Sequence, residues 1–277
     1  MILNASSLLF LALTATSTTD PAPLAELPEL NTSTTPVPAQ DAEASEAPAW
    51  TGNVSLGAIM NTGNTESTAV AASMDAELRR EKDRQTVNLF WNYGETTNSV
   101  PGGPEVTTIT QRNVGGSYQY DYFIDEKTYY LANAGANTDS LALLDLRWYA
   151  GAGIGRQFRD EEDFTLKGEA GLVYIEERFQ NMPPPAPSAD SEGVAARLAW
   201  DVMKRLTETT VLEHTGQVFP SLKDIDNTYA RLDTRLKMKM TENMNAQFQW
   251  ILQWDNTPAP GLTSVDNQFI ASLGWGF

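Results

Sequence analysis

The sequence predicts an all-β fold, a closed antiparallel transmembrane β-barrel of about 12 strands. Three observations support this prediction. Apolar and polar residues alternate with period two from residue 50 onward, short and longer connections alternate along the chain, and the chain ends on an aromatic residue. In a membrane barrel every second residue faces lipid, so each strand shows one apolar row and one polar row. No stretch approaches the roughly 18 apolar residues that a membrane-spanning helix needs.

The last strand shows the pattern most clearly, because its apolar row ends on an aromatic and faces small residues. This tail resembles the C-terminal signal that bacterial outer-membrane barrels present to their assembly machinery. We interpret four residues as this assembly signal: Phe269, Leu273, Trp275 and Phe277. The alternative is an edge strand of a soluble sheet. An unprotected aromatic edge would promote aggregation in water, whereas a closed barrel has no edge.

Each predicted strand is defined by an outward row of apolar residues. The first six rows are the even positions of 54–60 and 70–78, the odd positions of 87–93, and the even positions of 114–122, 130–136 and 144–154. The seventh, eighth, tenth and eleventh are the even positions of 164–174, 194–202, 230–240 and 246–254, and the twelfth is the odd positions of 269–277. The ninth segment, residues 209–219, has no clear parity, so its facing is unassigned.

Connection lengths favour a barrel over a soluble β-sandwich, whose strands can also alternate. Short, mostly charged connections are predicted at 80–84, 125–127, 159–163, 206–208 and 241–244. Longer ones are predicted at 94–106, 179–191, 219–226 and 256–264, with modest ones at 61–66 and 138–143. Short periplasmic turns and longer outer loops are the rule for bacterial barrels, and an even strand number places both termini in the periplasm.

The chain before the barrel has a different composition. Residues 1–17 contain a short apolar run like that of a signal peptide, although no Lys or Arg precedes it and its cleavage site is unassigned. Residues 18–49 are rich in Pro, Ala, Thr and Glu and contain no aromatic residue. Such a segment cannot bury enough apolar surface to offset its chain entropy, so we predict a disordered linker. The barrel is assigned to residues 50–277.

Composition excludes several function classes. The chain has no Cys, which excludes thiol chemistry and Cys-ligated metals, and its net charge of −17 argues against nucleic-acid binding. His214 is the only histidine, and no carboxylates show metal-ligand spacing beyond Asp224 and Asp226. We therefore predict that the protein is not an enzyme and has no cofactor or resident metal. An outer-membrane enzyme that uses His214 is the less favoured alternative.

The glycines from Gly151 to Gly155 superficially suggest a dinucleotide-binding loop. That motif needs a turn that opens a helix, whereas these glycines alternate within a predicted strand. We expect them to leave lumen space beside Arg147 and Tyr149.

The inward rows carry most of the charge. The predicted lumen-lining residues are Arg147, Tyr149, Arg197, Asp201, Arg231, Asp233, Arg235, Lys237 and Lys239. Two interpretations stay open: a ladder of cations favours anionic solutes, or the two signs pair across strands and plug the interior. Anion preference depends on whether neighbouring strands neutralise the basic residues of the tenth strand, where Asp233 is the single acid. About 12 strands enclose less space than the 16 to 18 strands of general porins.

Two sequence blocks carry a resemblance to a known family. Trp50-Thr-Gly-Asn-Val-Ser-Leu-Gly57 precedes Asn61-Thr-Gly-Asn-Thr65, and Leu144-Asp-Leu-Arg-Trp-Tyr-Ala-Gly-Ala-Gly-Ile-Gly-Arg156 precedes Leu166-Lys-Gly-Glu-Ala-Gly-Leu-Val-Tyr174. These blocks resemble the DUF481 family, also described as salt-induced outer membrane proteins, and the resemblance covers residues 50–277. It implies a barrel in the bacterial outer membrane and brings no catalytic residues.

The expected function is a narrow, porin-like channel for small solutes, anionic if the lumen keeps an excess of positive charge, or a passive envelope component linked through the family to salt or osmotic stress. The alternative is a structural or surface-interaction barrel with a plugged lumen. Expected partners are outer-membrane lipid, the barrel-assembly machinery and small solutes, with no nucleic acid.

Overall fold

The twelve strands of the chain close into one antiparallel barrel, as the sequence predicts. The computed structural model describes residues 49–61, 65–99, 105–180, 190–259 and 261–277. Each strand pairs with its neighbours in sequence, and the last pairs with the first. The strands are β1 Trp50–Asn61, β2 Thr65–Arg79, β3 Asp83–Ser99, β4 Glu105–Phe123, β5 Thr128–Asp139, β6 Leu144–Asp160, β7 Phe164–Phe179, β8 Ser191–Arg205, β9 Thr210–Pro220, β10 Thr228–Lys239, β11 Met244–Asp255 and β12 Val265–Gly276.

The predicted signal segment and linker, residues 1–17 and 18–49, lie outside the described residues apart from Ala49. No helix among the described residues is long and apolar enough to cross a membrane.

The strand registers place the apolar rows outside and the charged rows in the lumen. Residues paired across antiparallel strands share a face, so Leu236, Phe248 and Ala271 form one outward row across β10, β11 and β12. Phe248 is 55% exposed and Leu198 on β8 is 49% exposed. Large apolar side chains with such exposure belong in lipid, while the polar rows face inward. This distribution is the reverse of that in a soluble protein and defines a membrane barrel.

The register also assigns the facing of β9, which the sequence pattern leaves open. His214 pairs with Val202 on β8 and with Thr234 on β10, both on the outer face. Glu213 pairs with Arg235 and therefore faces the lumen. The outward row of β9 contains a histidine and a glycine, which hide its apolar period.

Two local irregularities depart from the predicted pattern. A register shift between Leu144 and Leu146 inserts one extra residue into β6, so Leu144 is buried and Asp145 is exposed, the opposite of simple alternation. The predicted loop at 94–106 is also shorter, because β3 continues to Ser99 and β4 starts at Glu105. The resulting β3–β4 hairpin is the longest of the barrel.

Aromatic rings cover glycines on neighbouring strands. Tyr149 lies against Gly135 of β5, and Tyr129 lies against Gly155 of β6, so that a Cβ at Gly155 would be 2.3 Å from the Tyr129 ring. The space that Gly155 leaves is therefore occupied by a ring from the adjacent strand. At Gly155, six residues from Tyr149 along β6, the expected open lumen space is therefore absent, because the cross-strand ring of Tyr129 occupies it.

Five short turns connect the strands at the end that carries the termini. In the β4–β5 turn, the Asp125 carboxylate accepts hydrogen bonds from the backbone N–H groups of Lys127 and Thr128, at 2.8 and 2.7 Å. These two donors stabilise the charged form and hold the pKa of Asp125 below its ordinary value. The turn is thus fixed by residues that are adjacent in sequence.

The seam between β1 and β12 closes the barrel with fewer contacts than the other strand pairs. Four residue pairs join these strands, from Asn53 with Gly276 to Leu56 with Leu273. Two backbone hydrogen bonds between Gly52 and Phe277, at 3.0 and 3.1 Å, complete the seam at the end of the short turns.

Candidate functional site

The lumen contains a cavity of about 750 Å³ that side chains from most strands line. Its charged lining is close to balanced among the described residues, with nine basic and seven acidic side chains. The basic residues are Arg79, Arg84, Arg147, Arg159, Lys167, Arg197, Arg231, Arg235 and Lys237, and the acidic residues are Asp75, Glu77, Asp160, Glu169, Asp201, Glu213 and Asp233.

Acidic partners pair with Arg235 and Lys237 of β10. The Arg235 guanidinium donates to Asp233 on its own strand at 3.0 Å and to Asp75 on β2, which lies across the lumen. Lys237 donates to Glu213 on β9 at 2.9 Å. Gln249 on β11 adds a hydrogen bond of 2.8 Å to Asp233. Asp75 on β2 and Glu213 on the neighbouring β9 therefore offset two of the three excess cations that the sequence suggests for β10.

A second network is centred on Glu169 of β7. Its carboxylate accepts hydrogen bonds of 2.8 Å from Gln119, Tyr129 and Arg197, which lie on β4, β5 and β8. Because β4 and β5 do not pair with β7, the first two bonds reach across the lumen surface beyond the adjacent strand. Glu169 thus ties four strands together from inside the barrel.

A third network and an inward-folded connection narrow the outer end of the lumen. Arg147 on β6 donates to Glu177 on β7 and to Asp255 at the end of β11, the latter at 2.9 Å. Ala259, in the connection between β11 and β12, is 2% exposed and packs on Leu144 and Phe179. Since β6 and β7 lie several strands away from β11 in the closed ring, this connection crosses the mouth.

Comparison with protein families assigns this barrel to a family. Residues 54–277 match the family described as "Protein of unknown function, DUF481". The chain belongs to the DUF481 family. Together with the apolar exterior and the charged lumen, this membership confirms the resemblance seen in the sequence, and the chain is an outer-membrane β-barrel.

No curated protein sequence matches the chain. Solved structures with similar architecture include the NanC porin, at 9% identity and a TM-score of 0.45, covering 82% of this chain and 99% of that chain. The COG4313 outer membrane channel from Pseudomonas putida F1 has 10% identity and a TM-score of 0.44, and the match covers 87% of this chain and 100% of that chain. The translocator domain of autotransporter NalP from Neisseria meningitidis has 11% identity and a TM-score of 0.41, and the match covers 82% of this chain and 88% of that chain. Similarities this low assign neither a solute nor an activity to this DUF481 chain.

The other lumen residues of the DUF481 barrel that the sequence suggests lie at several depths. Tyr149 packs on Phe219, with ring centroids 5.1 Å apart. Asp201 lies 3.8 Å from Lys167, and Arg231 lies over the Phe90 ring at 5.0 Å from its centroid. Lys239 is exposed at the end of β10 and does not line the cavity.

His214 lies on the outer face of this DUF481 barrel, away from the cavity. Its Nδ1 is 2.9 Å from Thr234 Oγ1, and its ring lies 6.2 Å from that of Trp200. The acidic residue beside it in sequence, Glu213, is the lumen residue of β9 that sequence reasoning missed. The alternation of Glu213, Thr215 and Gln217 is the signal that could have found it.

Proposed function

We propose that this barrel is a narrow outer-membrane channel for small polar solutes of low net charge. The observation that carries the proposal is the lumen cavity of about 750 Å³, lined by side chains of both signs. Cavities of roughly 300 to 1,000 Å³ hold molecules of drug size or smaller. An apolar exterior places this polar cavity inside the bilayer, where it offers a water-compatible path for solutes that lipid excludes.

The pairing of charges argues for weak ion selectivity. Selectivity follows the charges that remain unpaired at a constriction. Arg235 and Lys237, which an anion pore would use, are engaged by Asp75, Asp233 and Glu213. The anion preference suggested by β10 alone is therefore not part of the proposal. The salt-stress connection implied by the family resemblance has no counterpart in the described geometry.

A plugged structural barrel is the second candidate, and the cross-lumen links favour it. Arg235 reaches Asp75 on β2, four strands away around the ring, and Arg147 holds Asp255 at the mouth. If these links are static, they block passage. An enzyme is not proposed, because His214 lies on the lipid-facing surface and is hydrogen-bonded to Thr234.

Planar-bilayer conductance of the purified protein separates the two candidates. A channel should give small conductance steps and a reversal potential near zero in a KCl gradient. The double variant Asp75→Asn/Arg235→Gln removes one cross-lumen link and should enlarge the steps. Arg178→Gln is the matched control, because Arg178 is exposed on the outer side of β7 and pairs with Glu176. If neither the native protein nor the double variant conducted ions, the plugged barrel would be established.

A further inference from the structure

The barrel wall is unevenly closed at the β1–β12 seam. The paired stretch ends at Leu56 with Leu273, after four residue pairs. Every other neighbouring strand pair is joined by at least eight pairs among the described residues. Toward the outer end, β1 continues to Asn61 while pairing with β2 alone, and β12 begins at Val265 while pairing with β11 alone. Two strand edges therefore face each other without a ladder.

Gly57 marks the lower end of this unpaired stretch. A Cβ at Gly57 would lie 2.4 Å from the carbonyl oxygen of Ala271, so the two backbones still touch at this level. Beyond it the described residues of β1 and β12 have no register pairs with each other. Hydrocarbon cannot satisfy unpaired backbone N–H and C=O groups, so the stretch requires a polar partner or a path open to water.

The lumen cavity extends to this seam, and its wall there is small and uncharged. Ile270 and Ser272 of β12 line the cavity, as do Ser55 of β1 and Ala71 and Ser73 of β2. The nearest member of the charged networks described above is Asp75, two residues from Ser73 on β2, and its partner is Arg235. This sector therefore accepts an apolar group without removing a charge from its partner.

The seam also presents polar atoms that are buried and unpartnered. Ser272 Oγ and Gln268 Nε2 have no hydrogen-bond partner among the described residues. On the outer side, Phe269 is 75% exposed and stacks on Trp250, with ring centroids 6.4 Å apart. An apolar, lipid-facing entrance thus leads to one neutral donor and one hydroxyl on the lumen side.

We propose that the unpaired part of the β1–β12 seam is a lateral opening. Through it the apolar tail of a membrane amphiphile with an uncharged hydrogen-bonding group enters the lumen cavity from the outer half of the bilayer. Ser272 and Ile270, which line the cavity, contact the uncharged polar group and the tail respectively, and Gln268 lies two residues from Ile270 toward the outer end of β12. Ala259 narrows the outer mouth where it packs on Leu144 and Phe179, so an opening in the wall gives an apolar tail a route that avoids the mouth. This route goes beyond the proposed channel and does not require the lumen to conduct ions.

Nitroxide quenching tests whether lipid tails reach the lumen side of the seam. The chain has no Cys, so Ser272→Cys can be labelled with bimane before refolding into vesicles of phosphatidylcholine with nitroxide on the acyl chain. Ser117→Cys is the matched control, a serine that lines the cavity from β4. Ala271→Cys on the outer face reports full exposure to lipid. We expect quenching at Ser272 to approach that at Ala271 and to exceed that at Ser117 several-fold.

Equal quenching at Ser272 and Ser117 would overturn the lateral opening. A Ser272 label shielded from both the lipid nitroxide and aqueous iodide would also overturn it, because a bound strand or partner chain would then fill the seam.

Disulfide formation tests the separation of the strands directly. Simple continuation of the β1–β12 register would pair residues 58 and 271, which are both exposed alanines. Ala132 and Ala152 are the matched control, since they are a true register pair of exposed alanines on β5 and β6. Under mild oxidation, Ala58→Cys/Ala271→Cys should cross-link several-fold more slowly than Ala132→Cys/Ala152→Cys. Equal rates would show a closed seam and overturn the proposal.

Discussion

The two faces of the barrel wall find their partners in different ways. On the outer face, contacts join adjacent strands, as where Trp250 of β11 stacks on Phe269 of β12. In the lumen, Arg235 of β10 binds Asp75 of β2, 160 residues away in the chain. An outer-face residue thus depends on lipid and its immediate neighbours, whereas a lumen residue depends on closure of the whole barrel. Loss of one lumen partner leaves the others buried and unpaired, which makes the lumen the more sensitive face.

Replacing Arg147 should have the largest effect of the changes considered. Arg147→Leu leaves Glu177 and Asp255 without their shared cation, and its side chain and that of Glu177 are 6% and 7% exposed. Breaking a buried ion pair from one side costs about 3 to 5 kcal/mol. Urea unfolding in lipid vesicles should show this loss.

The control for this change is Arg178→Leu, which breaks the exposed pair with Glu176 on the outer side of the same hairpin. An exposed pair contributes about 1 kcal/mol or less. If both variants lost the same stability, the lumen would be no more interdependent than the surface.

A charge on the outer face should have the next largest effect. Leu198→Arg places a cation against lipid near the middle of β8 and should cost about 2 to 4 kcal/mol. Thr215→Arg places the same residue in the lumen, in register with Asp201 and Asp233, and should cost less. Urea unfolding of both variants in the same vesicles measures the difference. Equal losses would contradict the assignment of the two faces.

Removal of Phe277 should have a smaller effect on stability but a visible one on assembly. The deletion removes two backbone hydrogen bonds to Gly52, each worth about 1 kcal/mol, and the terminal aromatic of the proposed assembly signal. Heat-modifiable barrel in outer-membrane fractions should decrease, while Phe277→Tyr should assemble normally. Normal levels of the truncated barrel would contradict the proposed role of the tail in assembly.

The smallest effect is expected where the partners are adjacent in sequence. Asp125→Ala removes the acceptor of two backbone hydrogen bonds in an exposed turn, and Asp125→Asn retains an acceptor. The lowered pKa of Asp125 means that its contribution is present above the pKa of the unfolded chain and is lost as pH falls through the folded-state pKa. The stability difference between native protein and Asp125→Ala should therefore shrink in strong acid. A difference that grew in acid would contradict this assignment.

The sequence predicts the wall of the barrel better than its interior. Period-two alternation identifies the strands and their outward rows, because lipid imposes the same requirement on each strand. It fails at Leu144 and Asp145, where one inserted residue reverses the facing, and in β9, where His214 interrupts the apolar row. The first failure is a local departure from a regular ladder, whereas β9 keeps a regular ladder and only the residue types of its outward row hide the pattern.

Pairing inside the lumen is less predictable for a different reason. The sequence identifies Arg235 and Arg147 as inward-facing, but it does not show that Asp75 and Asp255 are their partners. Those pairs depend on the stagger between strands and on the reach of side chains across the ring. The inward fold of the connection that carries Ala259 depends on the same closure.

The long sequence separation of the lumen ion pairs has a consequence for the order of assembly. Arg147 meets Glu177 within one hairpin, but its second acid, Asp255, lies 108 residues further along the chain. Asp75 of β2 likewise gains its partner, Arg235, only when β10 is in place. A barrel that has received only its early strands therefore carries unmatched charges in its interior, and late strands remove them. The lumen network thus favours the complete twelve-strand ring over any smaller ring that the first strands could form, because only the complete ring matches these charges.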